Sequence, residues 1–153
     1  MNVMETIKKF TDMAFRDPIA GILLKHSNLT ITQYESLIID LISESVSDIK
    51  LTYKEKALLR SKSVSRGSFG RTLSQARKNV ISAIYTILLL NYIGVFEDSP
   101  LTEYQILSEK LRDYVKIVRD SDPSRAKNVL KRIEKELIDG IRALSEPRGL
   151  KIA

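Results

Sequence analysis

Residues 51–84 read LTYKEKALLRSKSVSRGSFGRTLSQARKNVISAI, a stretch that predicts two helices separated by a serine-rich break. Thr52 and Glu55 have the spacing of a capping box, in which two side chains bond backbone N–H groups where a helix begins. Ser65 is placed to cap a second, longer helix, along which Phe69 and Leu73 begin an apolar stripe at helical spacing. We therefore expect a helix, a turn and a long helix within residues 52–92.

The sequence before this stretch also predicts helices. Apolar residues recur at helical spacing over Met4–Phe15, and Asp17 precedes a proline that suits the first position of a short helix, Pro18–Leu24. Thr32 and Glu35 match a second capping box, so we expect the next helix to begin there.

The sequence after this stretch predicts a helical hairpin. Gly94 is a suitable stop for the long helix. Thr102 and Gln105 match a third capping box, and Asp122 with Pro123 is a second N-cap and proline pair. The chain is therefore predicted to be all-α.

Composition excludes many kinds of catalytic and metal site. The chain has 153 residues, which is the size of one ordinary domain, and it has no cysteine and one histidine, His26. Disulfides, thiolate zinc sites and cysteine nucleophiles are excluded, and a single histidine argues against a serine–histidine triad. No glycine loop of the phosphate-binding type is present. We expect no catalytic residues, no metal and no cofactor, hence a protein that is not an enzyme.

The positive charge is concentrated in one part of the chain. The formal net charge is +6, yet residues 50–80 hold nine basic residues and one acidic residue, so this stretch alone carries +8. A localised basic block is typical of proteins that bind a polyanion. The alternative is a basic face that is only solvated.

The most apolar run, AIYTILLL at residues 83–90, is far shorter than the ~20 residues that span a bilayer. We interpret it as a buried helix and expect no membrane association. The N-terminus lacks the pattern of a secretory signal. A cytoplasmic location is expected.

Residues 51–84 resemble the helix-turn-helix of DNA-binding proteins, and more narrowly the fourth region of bacterial sigma factors and related response-regulator output domains. The resemblance implies that the second helix is a recognition helix, which enters a DNA major groove about 12 Å wide. It rests on Leu51-Thr52, Glu55, Leu58-Leu59, the run Val64-Ser65-Arg66-Gly67-Ser68-Phe69 and the run Leu73-Ser74-Gln75-Ala76-Arg77-Lys78-Asn79.

The polar positions of this segment are the expected DNA contacts. Val64, Phe69 and Leu73 are expected to be buried, which leaves the other positions outside. Arginine can form two hydrogen bonds with guanine and glutamine can do so with adenine, whereas Ser65 caps a helix end that favours phosphate. The expected contact residues are Ser65, Arg66, Ser68, Arg71, Thr72, Gln75 and Lys78, with Lys54, Arg60 and Lys62 toward the flanking backbone.

Two positions depart from the family pattern. Ser63 stands where the turn usually has glycine, so the backbone there is strained or the turn is longer. Leu59 stands where the first helix usually has a small residue facing the turn.

These observations predict a non-enzymatic protein that binds double-stranded DNA, as a transcriptional regulator or another DNA-organising factor. Two alternatives stay open. One is a helical-bundle subunit of a nucleoprotein complex, which binds the nucleic-acid backbone without reading sequence. The other is an adaptor whose basic face binds acidic proteins. Salt dependence and sequence preference distinguish them.

The acidic loop at 97–100 is the expected boundary between two regions. The first, residues 1–96, is a helical domain that contains the helix-turn-helix, and the second, residues 101–145, is the hairpin. The last helix has a near-heptad seam, and the preceding apolar stripe, from Tyr104 to Val118, is expected to be shorter by about two turns. We therefore expect part of the seam to be uncovered and to form a homodimer. The seam consists of Ala126, Leu130, Ile133, Leu137, Ile141 and Leu144.

Overall fold

A computed structural model describes residues 2–46, 48, 50–94 and 100–145, with the side chains of residues 100–104 and 143–145 outside the description. Within these ranges the chain forms seven α-helices and no strand, which confirms the predicted all-α class. The helices are α1 (Val3–Arg16), α2 (Pro18–Lys25), α3 (Ile31–Val46), α4 (Tyr53–Leu58), α5 (Arg66–Tyr92), α6 (Pro100–Asp120) and α7 (Pro123–Ser145).

Most predicted helix ends are confirmed. The Asp17 side chain accepts hydrogen bonds at the start of α2, and Thr52 and Glu55 form the predicted capping box of α4. The Asp122 side chain accepts a 2.8 Å bond from a backbone N–H in the first turn of α7. Gly94 follows α5 with a positive φ of 80°, a conformation that glycine adopts without steric cost.

The second and third predicted capping boxes are wrong. α3 begins two residues earlier than expected, and its box is formed by Thr30 and Gln33, which exchange bonds of 3.2 and 3.1 Å. Glu35 is therefore inside the helix and binds elsewhere. α6 begins at Pro100, so Thr102 lies within the helix rather than at its cap.

The chain divides into two compact units, residues 1–83 and 84–153, and the division falls within α5 rather than at residues 97–100. Residues 95–99 and the tail beyond 145 lie outside the described residues.

The first unit has a core built from four of its helices and the connections on either side of α4. α1 packs on α3, and α4 and the first half of α5 pack against the same apolar cluster. Phe69 and Leu73 are fully buried in it, as predicted, and Val64 packs against its edge. The other members are Ile7, Ile39, Leu51, Ala57 and Leu59.

The second unit contains the predicted hairpin of α6 and α7. Leu111 of α6 and both Ile133 and Leu137 of α7 are buried. α6 has 21 residues and α7 has 23, so the two helices are of nearly equal length. Because Ile133 and Leu137 are buried, the centre of the α7 seam is covered within one chain, and of its described members only Ile141 is exposed.

The apolar run at residues 83–90 is also different from the prediction. Six of its eight residues are exposed, and Ile87 and Leu90 are half-buried, so this part of α5 is not a buried helix. In the described part of the chain, no helix combines the length and the apolar character needed to cross a membrane.

Candidate nucleic-acid interface

α4, the connection at residues 59–65 and the start of α5 form the predicted helix–turn–helix segment. The ring of Tyr53 on α4 meets the ring of Phe69 on α5 edge to face, with centroids 5.7 Å apart. Gly70 lies against the same ring, and a Cβ there would be in ordinary contact with it at 3.4 Å. The contact fixes the start of α5 against α4.

The connection is longer than the three or four residues usual in this motif. It spans residues 59–65, and no described residue other than Gly94 has a positive φ. Ser63 therefore needs no left-handed backbone, since the extra length replaces the glycine turn. Leu59 belongs to the core rather than crowding the turn.

Ser65 caps α5, as predicted. Its hydroxyl oxygen accepts a 3.1 Å hydrogen bond from the backbone N–H of Ser68. The backbone N–H groups of Arg66 and Gly67 belong to the first turn, so they have no acceptor within the helix. Such groups give a helix start its affinity for anions.

Glu35 of α3 binds the connection between α4 and α5. The Glu35 carboxylate accepts a 2.9 Å bond from Arg60 Nε, and it also accepts bonds from the backbone N–H and the hydroxyl of Ser61. Arg60 Nη1 bonds the Ser36 hydroxyl at 3.2 Å. Arg60 is buried by these contacts, so the prediction that it contacts DNA is wrong.

A second acidic residue of α3 joins α4 to α5. Asp40 accepts a 2.9 Å bond from Lys56 Nζ and a 2.6 Å bond from Arg77 Nη2. Lys56 is only 2% exposed and also bonds Glu44 at 3.1 Å. The orientation of α5 about its own axis is thus fixed by an ion pair as well as by its apolar contacts.

These ion pairs affect the acid–base behaviour of the two cations. Burial lowers the pKa of Lys56, but the hydrogen bonds and the negative charges of Asp40 and Glu44 together raise it by more, so the pKa is above its ordinary value. Burial likewise lowers the pKa of Arg77, and its interactions with Tyr53 and with the charge of Asp40 together produce a net rise.

A polar contact fixes the middle of α5. Asn79 Nδ2 donates to the backbone oxygen of Asn28 at 3.1 Å and to Gln33 Oε1 at 3.0 Å. Asn28 Nδ2 in turn donates to the Asn79 backbone oxygen at 3.1 Å. Residues 66–79 of α5 are therefore bound to other elements of the first unit, from the start of the helix to Asn79.

The side of α5 opposite these attachments presents basic and polar residues. Phe69, Leu73 and Ala76 are buried on one side. At about 100° per residue, Arg71, Gln75 and Lys78 project from the other side, and all three are exposed. Ser74 is exposed between them and was missed by the sequence analysis, although the same count from Phe69 and Leu73 would have found it.

The remaining predicted contacts surround this face. Lys54 on α4, Lys62 in the connection, and Ser65 and Arg66 at the start of α5 are exposed. Ser68 and Thr72 are half-buried, and the Thr72 hydroxyl bonds the Ser68 backbone oxygen at 3.0 Å. Of the ten predicted residues, the structure thus leaves seven exposed.

Acidic residues of α3 neutralise part of the positive charge of residues 50–80. Three of the nine cations in this stretch, Lys56, Arg60 and Arg77, are paired with carboxylates of α3. The six others are exposed: Lys50, Lys54, Lys62, Arg66, Arg71 and Lys78. Among the described side chains, no three potential metal ligands come together.

Comparisons of the chain with protein-family models, curated proteins and solved structures found no match. The geometry of this surface is therefore the basis of a functional proposal.

Proposed function

We propose that this chain is a non-enzymatic DNA-binding protein, a transcriptional regulator or DNA-organising factor, whose α5 lies in the major groove through residues 66–78. One observation carries the proposal. The first half of α5 is buried through Phe69 and Leu73 while its opposite side exposes Arg71, Gln75 and Lys78. A recognition helix needs both properties, because it must be rigidly supported and still reach base edges.

The surroundings of this face supply contacts of a second kind. Lys54 on α4 and Lys62 in the connection before α5 are both exposed. The first-turn N–H groups of α5 add a partial positive charge for a phosphate. We assign these groups to the DNA backbone, where they position the helix without reading sequence.

The salt dependence of duplex binding tests the backbone contacts. Five of the exposed predicted residues are cationic: Lys54, Lys62, Arg66, Arg71 and Lys78. If all five contact phosphates, the slope of log K against log salt is about −4.5 per chain, and affinity falls roughly 500-fold between 50 and 200 mM salt. Contact by all nine basic residues of the block would give a slope near −8.

Selection from random duplexes, followed by binding measurements on the variants, tests sequence reading. We expect Arg71→Ala and Gln75→Ala to weaken binding to the selected duplex by about 1–3 kcal/mol each. Lys78→Ala should weaken binding to all duplexes and lower the slope by about 1. Lys127→Ala, an exposed lysine of α7, is the control and should change neither quantity.

The outcomes separate the proposal from its alternatives. Equal losses for Arg71→Ala on all duplexes, with no selected motif, would indicate a sequence-blind nucleoprotein subunit. Absence of duplex binding at low salt would overturn the proposal and favour an adaptor for acidic proteins. If the protein acts as a homodimer, the selected motif should contain two half-sites about one helical turn apart.

A further inference from the structure

The end of α5 carries an exposed apolar face in the second unit. Tyr85 is 69% exposed and Tyr92 is 89% exposed, and Ile84, Leu88 and Leu89 are each exposed over about half of their surface. Residues four apart adjoin on a helix, so Ile84, Leu88 and Tyr92 form one row and Tyr85 and Leu89 form the next. These five residues are the α5 apolar face.

This face is large for a surface that stays in water. From the exposed fractions, the five residues leave roughly 650 Å² accessible with the tyrosine hydroxyls included, which is near the upper end of the 300–600 Å² of the largest apolar patch on a typical monomer. Two copies facing each other would bury at most about 1,300 Å², near the lower end of the range for stable protein interfaces. The face is thus of the size that a small dimer interface needs.

The sequence around the face favours a partner whose contacting surface carries no charge. Residues 79–96 contain no Asp, Glu, Lys, Arg or His, whereas the chain as a whole carries +6. A charged partner would gain no ion pair here, while two copies would meet without like-charge repulsion. Tyrosine suits such an interface because its ring is buried while its hydroxyl stays at the wet edge.

We propose that the α5 apolar face binds the same face of a second copy of this chain, forming a two-fold dimer. In such an interface a residue on the axis meets its own counterpart, and every other contact occurs twice, with the two residues exchanged between the copies. The rows of residues four apart on one helix fit the grooves between the same rows on the other. The dimer forms through α5, in contrast to the α7 seam, whose centre the hairpin already covers.

The mass of the full chain in solution, without DNA, tests the proposal. At micromolar concentration we expect about twice the chain mass of 17.4 kDa. Leu88→Glu should give the monomer mass and raise the dimer dissociation constant at least 100-fold, because it places two carboxylates in an apolar contact. Ile141→Glu is the matched control: it changes an apolar residue of α7 with the same 50% exposure and should leave the dimer intact.

Cysteine crosslinking gives a second measurement, since the chain has no cysteine of its own. Under mild oxidation Leu89→Cys should form a disulfide-linked dimer and Ile141→Cys should not. A wild-type monomer at 50 µM would overturn the proposal, as would a dimer that Ile141→Glu dissociates and Leu88→Glu does not. Binding to neutral lipid vesicles by a chain that does not self-associate would also overturn it. A dimer that binds no duplex would keep this inference and reject only the DNA proposal.

Discussion

Replacing Glu35 by glutamine should remove a large part of the free energy of unfolding of the first unit. Its carboxylate is the only acidic partner of Arg60 among the described residues, and both side chains are buried. Glutamine keeps the shape of the side chain but removes the charge. Arg60 would then keep the hydroxyl of Ser36 and lose its counter-charge.

A buried ion pair broken on one side costs about 3–5 kcal/mol, because the remaining charge stays out of water. Total stabilities are about 5–15 kcal/mol, so this loss is a large fraction. For a unit of this size it corresponds to a fall in Tm of at least about 12 °C. Urea unfolding followed by circular dichroism measures the free energy directly, with the midpoint and slope taken from one transition.

An exposed pair of the same chemistry is the control. Lys8 and Asp12 are 3.1 Å apart with their side chains 42% and 45% exposed, so Asp12→Asn should cost less than about 1 kcal/mol. The double variant Glu35→Leu, Arg60→Met should recover most of the stability, since no charge is left unpaired. A loss for Glu35→Gln no larger than that for Asp12→Asn would refute the reasoning, because Arg60 would then be adequately solvated without its partner.

Two further predictions concern the same unit. Phe69→Ala and Leu73→Ala should each lower the free energy of unfolding by about 2–5 kcal/mol in urea titrations. Leu58→Ala, at an exposed position of α4, should change it by less than about 0.5 kcal/mol. Equal effects at all three positions would contradict the assigned core. The raised pKa of Lys56 means that its contribution to stability is complete below its unfolded pKa of about 10.4 and is lost as pH rises through the higher folded value. The difference in stability between the wild type and Lys56→Met should therefore be constant from pH 7 to 9 and change only at more alkaline pH, and a change near neutrality would contradict the assignment.

Local signals in the sequence were sufficient for most of the helix boundaries. Asp17, Thr52, Ser65 and Asp122 cap the predicted helices because a capping interaction involves residues only two or three positions apart. The start of α3 shows the limit of such signals, since Thr30-x-x-Gln33 and Thr32-x-x-Glu35 both match the capping pattern. The choice between them depends on tertiary contacts that a local pattern does not contain.

The candidate interface shows the same limit. The outward phase of Arg71 and Gln75 follows from helical periodicity, and the structure places both as expected. The burial of Arg60 does not follow from helical periodicity, because its partner Glu35 lies 25 positions away in the chain. The apolar run at 83–90 was interpreted as buried on hydrophobicity alone, yet an exposed interface and a core share that composition.

Two of the carboxylates of α3, Glu35 and Asp40, pair with cations that come later in the chain. Glu35 pairs with Arg60 in the connection before α5, and Asp40 pairs with Arg77 well inside it. During synthesis the residues of α1, α2 and α3 are added before these cations, so Glu35 and Asp40 do not yet have these partners. We therefore expect a chain that ends before Arg77 to lack the second of these ion pairs, and a chain that ends before Arg60 to lack both.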